Sequence, residues 1–497
     1  MLENAKRLLK HSVVYSISNV AIKASGIILL PLYTTYFSVA EYGRLGLVLI
    51  TIIIVSQSLI LGQGLSLIRY NNSSEFEDKK RSIFFTLSIV VSFVILIFIM
   101  VANSFVTEIA ELFGNADQYK PLLQISIYII SVITFNNLLL SKLRADENSI
   151  LYTLSSIVKI IVMVLINIYL IVYEKLGIES VLYAQLIGEL VQTAIVFPAI
   201  IKHVEVKFEY AMIPHSLKFG VPLIFSAMAI NLLNGSDRYL LKFLTDENVL
   251  GLYELGYKVA GVINMFVILP FGLTLMPLAY KMFKQEGDKQ YYSKLKTYVT
   301  FVLLWAGLAL SLFGKELVML FAQDPSYYPA YAVVPFIVLA YVIYGTSMIS
   351  SLGMILTGNN FFVAIITLFC ALLNIGLNFW LIPEYGMMGA AVNTVVAFFI
   401  LDFLSNIASN RYYRIPYEYL KIILLFLLCI AFIFTGTLSN EFELISRIPI
   451  KLIIIVAFPL ITVLFKYFKD EELILIKGAI IKWIKPSSWM ALLKKKD

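Results

Sequence analysis

Apolar stretches of about twenty residues recur along the whole chain, and each is long enough to cross a bilayer core of roughly 30 Å as a helix. They fall at 12–37, 45–68, 83–104, 121–141, 149–172, 180–201, 219–243, 249–280, 297–313, 331–356, 360–382, 386–408, 422–437 and 449–465. This pattern predicts an all-α polytopic membrane protein of about fourteen transmembrane helices. Composition agrees: of 497 residues, 60% are hydrophobic and 14% charged, against roughly 25% charged in soluble domains. The eighth stretch is overlong and is expected to tilt or kink near Pro270 and Pro277.

Charge placement tests the count. With the N-terminus inside and the helices alternating, 28 of the 39 Lys and Arg fall on the inner side and 6 on the outer side, the rest within spans. Inserting or deleting one helix scrambles that asymmetry, so it predicts cytoplasmic termini. The first stretch follows Lys6, Arg7 and Lys10 and is too long for a cleaved leader, so it reads as a retained helix. After Asp470, isoleucines and tryptophans alternate with lysines, which predicts an amphipathic segment on an anionic inner leaflet.

Several chemistries find no support. Cys370 and Cys429 sit in apolar runs and read as small core residues. His11, His203 and His215 are scattered with no metal-ligand spacing, and no phosphate-binding glycine loop is present. The outer loops are short, leaving no room for an extramembrane catalytic domain. No cofactor, metal, nucleic-acid partner or enzymatic activity is expected.

The two halves echo each other. Ser38–Gly43 (SVAEYG) has a counterpart in Thr245–Gly251 (TDENVLG), and Asn167–Gly177 (NIYLIVYEKLG) in Asn378–Gly386 (NFWLIPEYG), at offsets of 207 and 211 residues. Six helices separate the copies, which predicts parallel repeats about an axis along the membrane normal, with a substrate path between them. The expected segments are 1–203 and 219–410 as six-helix lobes, 204–218 as a cytoplasmic linker, 411–468 as two extra helices and 469–497 as the basic tail.

Within this frame, Leu30–Tyr36 (LPLYTTY) with Glu41–Gly43, Phe219–Ser226 (FGVPLIFS), Asn234–Leu241 (NGSDRYLL), Gly251–Tyr253 and Tyr257–Ala260 resemble the Wzx-type flippases of O-antigen and capsule repeat units. That family shares a superfamily with lipid II flippases and multidrug and toxin extrusion transporters. The resemblance implies two lobes around a central cleft, alternating access, and an undecaprenyl-diphosphate-linked oligosaccharide as cargo. It also implies a monomer in the plasma membrane, with membrane lipids around it and a polysaccharide polymerase and a chain-length regulator as candidate partners.

Ionisable groups at membrane depth are costly and are functional candidates by default. The cations are Lys23, which shares a helix face with Asn19 and Gly26, then Arg238, Lys258, Lys159, Lys142 and Arg144. In a wet cavity they suit a diphosphate, which Arg can bind through two parallel hydrogen bonds. Each also has a structural reading: Asp237–Arg238 as a helix-end pair, Glu254–Lys258 as an i,i+4 pair, Lys159 paired with Glu189, and Lys142 and Arg144 as inner-face anchors. The acids Asp237, Glu254, Glu189 and Asp402 are candidates for ion coupling. Most tyrosines near span ends read as an interfacial belt. Two other functions compete: a drug/cation antiporter, which favours an acidic cavity, and a membrane-embedded polymerase or ligase, which calls for a long outer loop.

Overall fold

The computed structural model describes residues 26–202, 204–465 and 467. Lys23, most of the first expected span and the expected amphipathic tail lie outside the described residues.

Among the described residues the chain is helical and has no strands. The helices are α1 (Leu30–Tyr36), α2 (Val39–Leu59), α3 (Gln63–Asn71), α4 (Lys80–Ser104), α5 (Val106–Leu112), α6 (Ala116–Ala145), α7 (Ser149–Val172), α8 (Glu179–Ile201) and α9 (Met212–Leu244). Then come α10 (Glu247–Ile263), α11 (Leu269–Met282), α12 (Asp288–Leu312), α13 (Gly314–Phe321), α14 (Val334–Ser350), α15 (Leu352–Leu356), α16 (Asn360–Tyr412), α17 (Tyr419–Leu438) and α18 (Leu444–Leu464). Among the described residues, twelve helical runs are long and apolar enough to cross a membrane. The 53-residue α16 would be about 80 Å long if straight, but it reverses at Gly386, whose φ is 54°. A Cβ on Gly389 would lie 2.3 Å from the Leu381 carbonyl oxygen, and Asn393 Nδ2 donates to the Asn374 carbonyl at 2.7 Å. The run is therefore an antiparallel hairpin, as the separate stretches 360–382 and 386–408 predict.

Two elements differ from the hydropathy reading. The expected span 45–68 starts earlier, at Val39, and breaks at Leu61 (φ 48°) and Gly62 (φ 67°). Hydropathy misses the break because Leu59, Ile60 and Leu61 are apolar. Its cause is packing: a Cβ on Gly62 would lie 2.4 Å from the Gly220 carbonyl oxygen. The expected loop after Phe313 is instead the short helix α13 followed by a 3-10 turn, Pro325–Val333. Near Pro270, where a tilt or kink is expected, the helix takes a π-helical turn, Asn264–Ile268, between α10 and α11. Pro270 has no N–H to donate and its ring crowds the preceding turn, and one wider turn relieves both.

The repeated motifs cap their helices and then meet. The Ser38 side chain and Glu41 form a reciprocal cap on α2, and Asp246 accepts from the backbone of Asn248 and Val249 on α10. These caps satisfy amides that lipid cannot. A Cβ on Gly43 would stand 2.5 Å from the Glu247 carbonyl oxygen, and one on Gly251 only 2.0 Å from that of Val39. The two copies of the motif thus pack backbone to backbone. The single Tyr327 O–H is shared between the carbonyls of Phe37 and Ser38, at 2.9 and 3.0 Å, and pins the start of the first copy. This is the Ser38 end of the bundle; Gly62 and Gly220 meet at the opposite end.

The last two helices dock on α12. Pro459 leaves the Ile455 carbonyl without its helical donor, and the Trp305 indole donates to it at 2.9 Å. Phe458 is fully buried and stacks on Phe301.

Candidate functional site

Where α9 and α10 pack against α2, the hairpin register decides which charges meet. Asp237 pairs with Tyr253 and Arg238 with Glu254, each partner sixteen residues on across the Thr245–Asp246 turn. Arg238 Nε lies 2.6 Å from Glu254 Oε2, its NH1 donates to the Asn234 carbonyl at 2.8 Å, and its guanidinium sits 4.2 Å from the Tyr257 ring centre. Gly46 of α2 makes room for the Glu254 carboxylate: a Cβ there would be 2.7 Å from Glu254 Cγ. The within-helix pairings read from the sequence are therefore corrected. Asp237 accepts from Tyr253 and Thr394 rather than from Arg238, and Glu254 serves Arg238 rather than Lys258.

Lys258 has no ion pair among the described residues. Its Nζ donates to the Tyr42 hydroxyl at 3.3 Å and lies 5.3 Å from that ring's centre. It faces the start of the described α1 region, where a Cβ on Gly26 would be 3.9 Å from its Cε.

Two other candidate cations are committed to carboxylates. Lys159 meets Glu189 at 2.8 Å, the partner that the sequence indicates, and Asn136 donates to the second Glu189 oxygen at 2.8 Å. Lys142 is buried, 2.8 Å from Asp146 Oδ1 and 2.9 Å from Asn71 Oδ1. Arg144 differs from both. It is exposed, its hydrogen bond goes to Ser141 Oγ at 2.9 Å, and it has no ion pair among the described residues. It lines a cavity of about 320 Å3 at the Gly62 end between α2, α3, α6 and α9, where the other polar groups among the described residues are Gln57, Asn137 and Ser141, with no acid. Asn231 Nδ2 bridges from α9 to Gln57 Oε1 at 2.6 Å.

Asp402 accepts from Ser350 at 2.5 Å and lies 3.5 Å from the Lys296 ammonium. Sequence reasoning missed Lys296, which it placed in a loop just before a span at 297. The helix α12 begins at Asp288, so Lys296 stands two turns inside it, 2% exposed.

Asp237 belongs to a second group that charge alone did not mark. Ser236 Oγ and Asn378 Nδ2 donate to Asn374 Oδ1 at 3.2 and 3.3 Å, and Thr394 Oγ1 donates to Asp237 Oδ2 at 3.2 Å. Asp237, Asn374, Asn378 and Asn393 are fully buried. Asp237 Oδ1, Asn378 Oδ1 and Asn393 Oδ1 have no hydrogen-bond partner. Buried polar atoms without partners are costly, and beside these three oxygens the Asn374 Nδ2 donor is also unpaired among the described residues. No group of three or more His, Cys, Asp or Glu capable of holding a metal occurs among the described residues.

The family model described as "polysaccharide biosynthesis protein" matches residues 8–283, more than half of the chain. No curated protein sequence matches. Among solved structures, lipid II flippase MurJ in an inward closed conformation superposes with a TM-score of 0.72 at 18% identity, covering 92% of this chain and 99% of that one. A multidrug resistance MATE family transporter of the MOP superfamily is also similar. Its inward-facing form gives a TM-score of 0.60 at 14% identity over 79% of this chain and 94% of that one. An outward-facing structure of a multidrug resistance MATE family transporter of the MOP superfamily gives 0.60 at 15% over 82% and 95%. At these identities the likeness establishes the fold, that of polytopic membrane transporters.

Proposed function

Since the chain belongs to the polysaccharide biosynthesis protein family, we propose that it is a flippase moving an undecaprenyl-diphosphate-linked oligosaccharide between leaflets, the anionic head group held by cations that no carboxylate has claimed. The observation that carries this reading is Arg144, an exposed guanidinium that, among the described residues, has no ion pair and lines a cavity whose wall bears no acid. Lipid cannot solvate a diphosphate, and a guanidinium can bind it through two parallel hydrogen bonds. Lys258, farther along the same inter-repeat seam, is the second cation, and Lys23 is the third. Arg238, Lys159 and Lys142 hold the lobes in shape rather than touching cargo.

The lobes 1–203 and 219–410 rock about the seam between them, with 411–468 attached outside. Closure at the Ser38 end, through Gly43, Gly251 and Tyr327, leaves the Arg144 cavity facing the opposite side, which the Lys and Arg asymmetry of the sequence makes the cytoplasmic one. A monovalent cation bound by Asp237 and the asparagine oxygens beside it drives the return step. The similarity to multidrug transporters raises the antiporter reading, but a wall that bears a guanidinium and, among the described residues, no acid suits anions and repels cationic drugs.

Reconstitution in proteoliposomes with a labelled polyprenyl-diphosphate oligosaccharide tests the reading. The label becomes accessible in the opposite leaflet at a rate that rises with protein density. Export of a cationic dye with no movement of the glycan lipid overturns it in favour of the antiporter.

A further inference from the structure

We propose that a second cavity, at the Ser38 end between α12, α14 and α17, binds a phospholipid whose head group is a net monoanionic phosphodiester. The cavity, about 670 Å3, has apolar walls that include Phe336, Leu339, Ile433 and Phe434, and a polar rim of Lys315, Asn440 and Glu441. Phe434 is 67% exposed, so the cavity opens sideways, where a bilayer presents acyl chains. Apolar walls with a charged rim fit an amphiphile rather than a soluble ion.

The charge at the rim selects the head group. Glu316 is already occupied: Lys451, fully buried, places Nζ 2.7 and 2.8 Å from its two oxygens, and Arg447 Nε lies 2.8 Å from one of them. Lys315 is left without a carboxylate among the described residues. Its Nζ donates to the Asn440 carbonyl at 2.8 Å and faces the Tyr331 ring at 5.8 Å. An ammonium has three donors, so two remain for a ligand. Lys315 is thus the one cation on the cavity's wall among the described residues, and it has donors to spare. One phosphodiester oxygen pair meets those donors. The lipid would seat one of the two extra helices, α17, against the repeat at α12 and α14, apart from the Arg144 cavity.

The test uses the full chain in detergent with phosphatidylglycerol, phosphatidylcholine or polyprenyl diphosphate added, read by thermal midpoint and by native mass spectrometry. Phosphatidylglycerol should raise the midpoint and remain bound as one copy, at least several-fold preferred over phosphatidylcholine. Lys315→Gln should erase the preference while Lys120→Gln, at the same end on α6, keeps it. If Lys315→Gln fails to fold, Leu339→Trp, which fills the cavity, must expel the lipid instead. Equal retention of the two phospholipids, an unchanged preference in Lys315→Gln (or retention in Leu339→Trp), or displacement of phosphatidylglycerol by polyprenyl diphosphate overturns the proposal, the last by making this a cargo site.

Discussion

Arg238 and Glu254 hold each other at 2.6 Å across the α9–α10 hairpin, with Gly46 of α2 leaving space for the carboxylate. Both are nearly fully buried. Removing one partner strands a charge in a dry site, which costs about 3–5 kcal/mol. Arg238→Gln and Glu254→Gln should each lower the unfolding midpoint strongly, and the double variant should recover a large part of the loss. Additive losses in thermal unfolding would show that the two side chains do not act as a pair.

Closure of the Ser38 end depends on two glycines with no space for a side chain. A Cβ on Gly251 would meet the Val39 carbonyl at 2.0 Å, so Gly251→Val must push α2 and α10 apart. The expected result is faster thiol labelling of Thr34→Cys in the Gly251→Val background than in the wild-type background. Cys370 and Cys429 are buried and contribute little to the signal.

Asp237 is the proposed ion-coupling group. Asp237→Asn preserves its size and removes the charge, so glycan movement should lose its dependence on a sodium or proton gradient. Glu189→Gln, in a site where Asn136 and Lys159 already satisfy the carboxylate, should keep that dependence. Gradient-driven transport that persists in Asp237→Asn would remove Asp237 from the coupling step.

A linker contact gives a pH signature. Glu209, between α8 and α9, lies near Lys207 at 3.1 Å and Lys79 at 3.5 Å. The Lys207 ammonium holds its carboxyl below the usual carboxylate range. A lowered folded value means that the tether's contribution is present above the unfolded value and is lost as pH falls through the folded one. Hydrogen-exchange protection factors in 204–210, referred to the intrinsic rate at each pH, should fall on acidification below about pH 4.5, and Glu209→Gln should flatten that response.

How legible the sequence was depends on whether the signal is local. The span 149–172 coincides with α7, and the Lys159–Glu189 pair was readable because two lone charges in adjacent apolar helices have few other partners. Arg238–Glu254 was not readable. An i,i+4 neighbour, Lys258, competed for Glu254 on paper, and hairpin register settles the matter only in three dimensions. The break at Leu61–Gly62 was hidden in an apolar run because its cause, Gly220, lies on another helix. Lys296 was misplaced by a late helix start. Asn374 and Asn393 gave no signal, and Asn378 stood out only as the start of a repeated motif, because neutral amides do not mark a polar cluster until burial leaves their atoms without partners.

The most direct test is the rate of lipid-linked glycan exposure in proteoliposomes for wild type and Arg144→Gln at matched protein density, with Lys142→Gln as a comparison. Head-group capture by the free guanidinium predicts at least a tenfold loss in Arg144→Gln, the size of about 1.4 kcal/mol, at an unchanged unfolding midpoint. In Lys142→Gln, any loss of rate should follow a loss of stability. A wild-type rate in a stable Arg144→Gln protein would contradict the account.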